Sequence, residues 1–377
     1  MVRLQLLTIS ILLLSAIAGV AQIRIGLFSQ NEVNRLLVSP AEGKYFLLNS
    51  TSDTIYRFRS DDAVSLTANG NSVVAKSAYG LNDTLEMAFL IGSGNKPSFK
   101  TRVNDEKNDG IFYESLQVTA KENRLKLVNA VDVERYVSRV VQAEVGYGAA
   151  EEYYKIQSII CRTYAIRNRE RHAVDGFDVC DNMHCQVYSG QKHPTDEVVK
   201  ATAATSGLVM LSKENDLILS AFHANCGGQT ANSEDVWKES RSYLKSVTDT
   251  FCLSSRSASW DKSIPLSEFL NQLGWKDTAF SDSWKYDNEN RERYFALEND
   301  SIQTAKMRQL FGLRSSFFDV EIADGTVHFH GKGYGHGVGL CQQGAMKMAE
   351  SGYTYSQILG YYYKGVSLAP IAGLQPE

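Results

Sequence analysis

Apolar residues recur with two different periods along this chain of 377 residues. From Ile23 to about Val128 they alternate with polar residues in short β-branched runs, which Asn, Asp, Ser and Gly separate. This pattern predicts antiparallel strands. From Asp132 the period becomes helical, and a second helix is predicted over about 150–171. The charged, aromatic stretch from Ser254 to about Leu310 is also predicted to be helical.

Turn and capping signals locate the remaining elements near the C-terminus. Asp324-Gly325 lies between two alternating runs and predicts a hairpin. A helix is predicted after Gln342, and Thr354 with Gln357 has the spacing of a capping box that opens another. The chain is therefore predicted to have an α+β fold: an antiparallel, β-rich N-terminal module over 22–128, then a mixed helix and strand region over 129–368.

The first predicted helix, over 131–144, has an apolar face that ends on a carboxylate. Five residues occupy that face at helical spacing: Val133, Tyr136, Val137, Val140 and Val141. The next position on the face is Glu144, and Gly146-Tyr147-Gly148 then ends the helix. Such a glutamate either faces solvent where the helix frays or lies in a partly dry site. Desolvation in a dry site raises a carboxyl pKa toward the value that a general acid needs.

Composition and the N-terminus limit the classes of function. The chain is 43% hydrophobic and 22% charged, with a formal net charge of −4, so it has no basic footprint for nucleic acid. Residues 1–21 have Arg3 before a leucine-rich run that ends in small residues, which predicts a signal peptide cleaved near Ala21. We therefore expect a secreted protein, periplasmic or extracellular, in which disulfides are admissible and a nucleotide cofactor is not expected.

Four segments, taken together and in this order, resemble the SpoIID/LytB family (stage II sporulation protein D and amidase enhancer). They are VVQAEVGYGAAEEYYKIQSIICRTYA (140–165), HAVDGFDVCDNMHCQVYSG (172–190), FHANCGGQTANSEDVW (222–237) with YLKSVTD (243–249), and GKGYGHGVGLCQQGA (331–345). The resemblance covers about residues 110–366. It implies a peptidoglycan enzyme that works as a lytic transglycosylase.

The resemblance assigns the catalytic role to Glu144. Family members usually have Met-Pro after this glutamate, where this chain has Val145-Gly146. Candidate substrate contacts within the motifs are Gln157, Arg162, Tyr188, His336 and Gln342. Arg162 has a structural salt bridge as its alternative role, and His336 either orients substrate, shares a proton with Glu144 or is structural.

Cysteine and histidine spacing indicates two further sites. Four residues within fourteen positions are compatible with the ligands of a closed, tetrahedral, structural Zn²⁺ site: His172, Cys180, His184 and Cys185. Some family members bind zinc here. The alternatives are a Cys180–Cys185 disulfide or unrelated buried thiols. Because His184 and Cys185 are adjacent, sharing one metal requires a sharp backbone turn. The spacing of Cys226 and Cys252 in a secreted protein predicts a disulfide between them.

The predicted reaction cleaves the bond between N-acetylmuramic acid and N-acetylglucosamine and forms a 1,6-anhydro ring. A lytic transglycosylase needs one carboxylate, whereas glycoside hydrolases usually need two. One alternative is a non-catalytic wall-binding protein that enhances an amidase. Another is a zinc hydrolase, although four protein ligands leave no open position for water. Expected partners are peptidoglycan glycan strands and an N-acetylmuramoyl-L-alanine amidase.

Overall fold

The computed structural model describes residues 22–104, 106, 110–191, 193–275, 284–297 and 300–371. The predicted signal peptide, 1–21, lies outside these residues. The chain divides into two compact units, each made from separate stretches. The first comprises Met1–Gly148, Gln157–Val209 and Ala369–Glu377, and the second comprises Ala149–Ile156 and Met210–Leu368. The boundary predicted between 128 and 129 stays a prediction.

The first unit is built on one large sheet of eleven strands. They are β1 (Gln22–Leu27), β2 (Arg35–Leu48), β3 (Thr54–Arg57), β4 (Val64–Asn69), β5 (Ser72–Ser77), β6 (Asn82–Leu85), β7 (Met87–Val103), β8 (Gly110–Tyr113), β9 (Ser115–Lys121), β10 (Arg124–Asp132) and β11 (Val179–Cys180). The order is β11-β1-β10-β9-β7-β2-β4-β5-β6, with β3 beside β2 and β8 beside β7.

Pairing in this sheet is antiparallel except where β11 joins β1 in parallel. Alternating residues of β1 and β10 point into the core, as Ile23, Ile25, Leu125 and Leu127 show. The antiparallel β-rich module and the α+β class are confirmed.

Helices follow the sheet along the chain, beginning with α1 (Val133–Val145), α2 (Glu151–Arg167) and α3 (Asp196–Ala204). Helix α1 begins at Asp132, whose carboxylate accepts the N–H groups of Glu134 and Arg135 at 2.9 and 3.2 Å. The apolar stripe of α1 is buried as its spacing predicts. A 3₁₀ turn, Ala173–Asp175, precedes β11.

The second unit contains shorter elements. Strands β12 (Leu208–Leu211) and β21 (Ser367–Pro370) pair with each other, and each contains residues of both units. Within the second unit, β13 (Phe222–His223) pairs in parallel with β20 (Leu340–Cys341). A four-stranded sheet has the order β14-β19-β18-β15, from β14 (Ser259–Pro265), β15 (Lys285–Tyr286), β18 (Phe318–Ala323) and β19 (Thr326–Lys332). β16 (Tyr294–Leu297) and β17 (Asp300–Gln303) pair with each other.

The described residues of this unit also form the helices α4 (Ser233–Val236), α5 (Leu266–Leu273), α6 (Thr304–Leu310), α7 (Gln342–Glu350) and α8 (Tyr355–Tyr362). Phe269, Phe318 and Phe329 are among the residues that form its aromatic core. The predicted hairpin at Asp324-Gly325 and the capping box at Thr354 are both present.

The stretch from Ser254 to Leu310 is not uniformly helical as predicted, because β14 and the β16–β17 hairpin lie within it. Among the described residues, the helices are too short or too polar to cross a membrane.

Candidate functional site

Glu144 lies in the last turn of α1, where the buried face of the helix reaches the surface. Val140 and Val141, one turn earlier, are fully buried, whereas Glu144 is half-buried. Cys161 of α2 is near enough for the Glu144 charge to act on it. Burial raises the pKa of the Cys161 thiol, and the Glu144 carboxylate raises it further. The predicted geometry, a carboxylate continuing an apolar stripe, is therefore present.

The turn after Glu144 is fixed by a residue that the sequence motifs did not single out. Gly146 ends the helix with φ +80° and donates its N–H to the Gln142 carbonyl at 3.1 Å. The buried Gln142 side chain donates to the Gly146 carbonyl at 2.7 Å and accepts the Thr195 N–H at 2.8 Å. Thr195 caps α3. Family members usually have Met-Pro where this chain has Val145-Gly146. Here the turn is connected to α3 through the hydrogen bonds of Gln142.

Three of the candidate substrate contacts are buried in the first unit. Gln157 and Arg162 have no exposed surface, and Tyr188 is 1% exposed. The Arg162 guanidinium forms a two-point ion pair with Glu134, with Nε at 2.8 Å from Oε1, and donates to the Leu208 carbonyl at 3.0 Å. Tyr188 donates to Asn129 at 3.1 Å. Their contact with sugar stays a prediction, and this burial favours the structural alternative.

The four predicted metal ligands converge at the edge of the first unit's sheet. One ligand atom from each of His172, Cys180, His184 and Cys185 lies within 4.8 Å of all the others. His172 Nε2 is 3.5 Å from Cys185 Sγ, and His184 Nδ1 is 3.6 Å from Cys180 Sγ. With metal bonds of about 2.3 Å to sulfur and 2.0–2.1 Å to nitrogen, tetrahedral geometry places neighbouring ligands about 3.5 Å apart. The observed separations fit one tetrahedral ion.

Asn182 makes the sharp turn that two adjacent ligands require. Its side-chain oxygen accepts the His184 N–H at 2.9 Å, and its carbonyl accepts the Cys185 N–H at 3.0 Å. This Asx-type turn brings the side chains of His184 and Cys185 to the same point. The parallel pairing of β11 with β1 then fixes Cys180 beside Gly26.

Two charged side chains lie beside these four residues, and one of them, Asp175, suits a bound cation. His172 Nδ1 lies 3.2 Å from the Asp175 carboxylate, the carboxylate–histidine arrangement that orients metal-binding imidazoles. Burial raises the pKa of the Cys185 thiol to about 11, so a thiolate there needs a nearby positive charge. Arg171 lies 3.3 Å from His184 Nε2. When His184 Nδ1 binds metal, Nε2 carries the proton and this guanidinium has to turn away.

Two glycine-rich loops of the second unit pack directly against each other. A Cβ at Gly333 would lie 2.6 Å from the Asn225 carbonyl oxygen, and Asn225 and Tyr334 exchange backbone hydrogen bonds of 3.0 and 2.8 Å. Gly333 is one of the alternating glycines of the fourth motif. In the structure this close approach is between protein loops.

His336 lies on one of these loops among aromatic side chains. Its ring centroid is 5.2 Å from Trp237 and 5.6 Å from His223, and its Nδ1 accepts the Val338 N–H at 3.0 Å. Burial lowers the pKa of His336 to about 4, so the imidazole is neutral near pH 7 and Nε2 is its donor. Trp237 is 36% exposed beside it. Gln342, at the start of α7, is half-buried. Sugar contact by His336 and Gln342 stays a prediction.

The sulfurs of Cys226 and Cys252 lie 3.4 Å apart in the second unit. The disulfide predicted between them stays a prediction. Cys341, which the sequence analysis left without a role, is part of the same buried group with Asp249.

Several residues of these sites were missed from the sequence. Asp175 is three positions after His172, a spacing that signals a carboxylate–histidine pair. Gln142, Asn182 and Asp249 act through contacts with residues distant in space or through turn geometry. No periodicity marks such contacts.

Comparison with known proteins finds a family model that matches the stretch containing the first two motifs. The family model SpoIID, described as Stage II sporulation protein, matches residues 121–211. The chain is 29% identical to Stage II sporulation protein D of Bacillus subtilis over 260 residues, 64% of this chain and 76% of that protein. It is 27% identical to the Amidase enhancer of the same organism over 286 residues, 61% of this chain and 39% of that protein.

A longer match is to an uncharacterized protein of Brachyspira hyodysenteriae, 25% identical over 351 residues, 90% of this chain and 94% of that protein. These matches confirm the resemblance on which the motif assignments rest.

Proposed function

Because the resemblance to the stage II sporulation protein D and amidase-enhancer family is confirmed, we propose that this protein is a peptidoglycan lytic transglycosylase. The named relatives support a cell-wall-related function. One observation carries the finer proposal: Glu144 is a half-buried carboxylate at the end of a buried helix face, beside a turn held by Gln142. A partly desolvated carboxyl is suited to proton transfer near neutral pH.

In the proposed reaction Glu144 acts twice. As an acid it donates its proton to the oxygen that links N-acetylmuramic acid to N-acetylglucosamine, and that glycosidic bond breaks. As a carboxylate it then removes the proton from the muramic-acid 6-hydroxyl, whose oxygen bonds to the anomeric carbon. The 1,6-anhydro ring closes and Glu144 is protonated again. No water is consumed, so a second carboxylate to activate water is not required.

We propose that zinc is the ion held by His172, Cys180, His184 and Cys185. Cysteine and histidine ligands at tetrahedral spacing suit Zn²⁺, which fixes the fold when bound to four protein ligands. A zinc hydrolase is disfavoured because four protein ligands leave no position for a reacting water. The ion's proposed contribution is therefore structural.

The second candidate function is a non-catalytic wall-binding protein that enhances an N-acetylmuramoyl-L-alanine amidase. The relative named Amidase enhancer favours it. In either case we propose that the chain acts outside the cytoplasm, periplasmic or extracellular, on or beside glycan strands.

The deciding experiment is the replacement Glu144→Gln, which keeps the size of the side chain and removes the transferable proton. General acid–base catalysis contributes about 10²–10⁴-fold to a rate. We expect wild-type protein to release anhydro-muramyl ends from purified glycan strands and the variant to lose at least about 10²-fold. Mass spectrometry separates these ends from hydrolysed ends, which are heavier by one water.

Glu197→Gln is the matched control, because Glu197 is an exposed glutamate in the first turn of α3 in the same unit. It should retain wild-type activity. Reducing ends from wild-type protein would mean hydrolysis and a second carboxylate. Glycan binding without any cleavage by wild-type protein would favour the amidase enhancer.

A further inference from the structure

A second group of metal-binding side chains lies in the second unit, away from the four ligands described above. It consists of Cys226, Asp249, Cys252 and Cys341, and one ligand atom from each lies within 4.8 Å of all the others. All four residues are at most 1% exposed. Cys226 Sγ is 3.4 Å from Cys252 Sγ and 3.3 Å from Asp249 Oδ2. These separations are close to the edges of a tetrahedron around an ion with bonds of about 2.3 Å to sulfur and 2.0–2.2 Å to oxygen.

Backbone N–H groups donate to the sulfur of Cys341. Cys341 Sγ accepts the N–H of Cys226 at 3.3 Å and, at the start of α7, the N–H of Gly344 at 3.4 Å. A group of three neutral thiols packed as small apolar side chains would not need these donors.

A buried cation faces the same group. Arg291 is 8% exposed and donates to the Cys226 carbonyl at 2.7 Å and the Gln229 carbonyl at 2.6 Å. Within the described part of the chain it forms no ion pair with a carboxylate. A buried guanidinium is stable only beside compensating negative charge, and thiolates bound to a divalent ion supply it.

We propose that Cys226, Cys252, Cys341 and Asp249 hold a second structural ion of the zinc class, through three thiolates and one carboxylate. Sulfur-rich tetrahedral sites select such ions over calcium and magnesium, and full burial matches a closed site. This ion takes the place of the disulfide predicted between Cys226 and Cys252, since both cannot use the same sulfurs.

The ion would join three segments that are distant in sequence. Cys226 lies in the loop after β13, Cys252 follows Asp249 by three residues, and Cys341 ends β20. The segments that contain Cys226 and Cys341 adjoin the two glycine-rich loops, one of which carries His336. The site therefore stabilises the part of the second unit that presents His336 and Trp237, independently of whether Glu144 is catalytic.

Metal content of the purified full-length protein, measured by plasma mass spectrometry, tests the proposal. Wild-type protein should carry two zinc ions per chain, and Cys341→Ser should carry one. Cys180→Ser should also carry one, because it removes a ligand of the first group only. Cys161→Ala is the matched control: Cys161 is equally buried but belongs to neither group, so this variant should keep two.

Cobalt exchanged into Cys180→Ser protein gives a readout from the second group alone. Intense thiolate-to-cobalt absorption is expected there and should weaken in Cys180→Ser combined with Asp249→Asn or Cys341→Ser. Wild-type protein with one zinc, unchanged by Cys341→Ser and lost in Cys180→Ser, would overturn the second site while leaving the first. A Cys226–Cys252 disulfide in peptides from wild-type protein would also overturn it, and this measurement does not depend on whether any variant folds.

Discussion

The carboxylate of Glu144 depends on Gln142, two positions earlier, for the shape of the turn that follows it. Gln142 is 1% exposed, and its amide satisfies one backbone carbonyl and one backbone N–H that are far apart in sequence. A buried amide with both ends bonded holds its neighbours because leaving either partner unpaired costs about 1–3 kcal/mol. We therefore propose that Gln142 is a positioning residue for Glu144.

Gln142→Met tests this role, since it conserves volume and removes both hydrogen bonds. The turn containing Gly146 is then free to move, and a displacement near 1 Å at a reacting group costs about 10²-fold in rate. We expect kcat to fall by roughly this factor while glycan-strand binding is unchanged. In a Glu144→Gln background the same change should cause little further loss, because the group it positions no longer transfers a proton.

A purely structural role would give a different result. Gln142→Met would then lower the free energy of unfolding and leave kcat of the folded protein unchanged. Measuring both quantities on the same preparation separates the two roles.

Helix α1 shows which contacts of an element can be read from its own sequence. Its N-cap at Asp132 and its buried stripe follow from local spacing, and both are present. The partner of Arg162 could not be predicted, because Glu134 is 28 residues away and the pair forms only when α1 and α2 pack. The sequence analysis gave a structural salt bridge as the alternative role of Arg162. In the structure, Glu134 is the partner in that salt bridge.

Removing the charge of Glu134 alone from this ion pair should lower the free energy of unfolding. Arg162 has no exposed surface, while the Glu134 side chain is 27% exposed. Glu134→Gln leaves the guanidinium buried without its counter-charge, which costs about 3–5 kcal/mol. Urea unfolding should show this loss, and Glu134→Leu combined with Arg162→Met should recover much of it because neither charge remains.

An exposed pair provides the comparison. Lys347 and Glu350 lie 3.2 Å apart with 53% and 59% of their side chains exposed. Glu350→Gln should change the free energy of unfolding by about 0–1 kcal/mol. Equal losses for Glu134→Gln and Glu350→Gln would contradict the buried role of the Arg162 pair.

Across the whole molecule, elements with local sequence signals could be predicted. Pairings between residues that are far apart in the chain could not. Alternation predicted the strands up to Val128, and turn chemistry predicted the hairpin at Asp324-Gly325. The prediction of helix for 254–310 failed because β14 pairs with β19, more than 60 residues later, and tertiary packing decides such strands. Motif spacing found the four residues of the first Cys/His group, whereas Asp249 and Cys341 join the second group only through folding.

If the first group holds the proposed zinc ion, removing the ion should destabilise the first unit. At a free zinc concentration of about a thousand times its Kd, a site stabilises the folded state by about 4 kcal/mol. For a unit of this size that corresponds to a shift in Tm of about 8–16 °C. We therefore expect His172→Ala and Cys180→Ser each to lose one zinc ion and to lower Tm by about this amount, measured by calorimetry with metal analysis.

Asp175→Asn makes the test specific, because Asp175 contacts the His172 ring and is not itself a ligand. Loss of such a supporting carboxylate weakens metal affinity by about 10–100-fold. The variant should therefore match wild type at saturating zinc and melt earlier when zinc is buffered to low concentration. Asp178→Asn is the matched control, because the Asp178 carboxylate accepts the Arg24 N–H instead. The Tm of this variant should not depend on zinc more than that of wild type.

If metal-free wild-type protein melts at the temperature of the metal-loaded form, or if Cys180 and Cys185 are found joined in a disulfide, the first group does not hold a structural zinc ion.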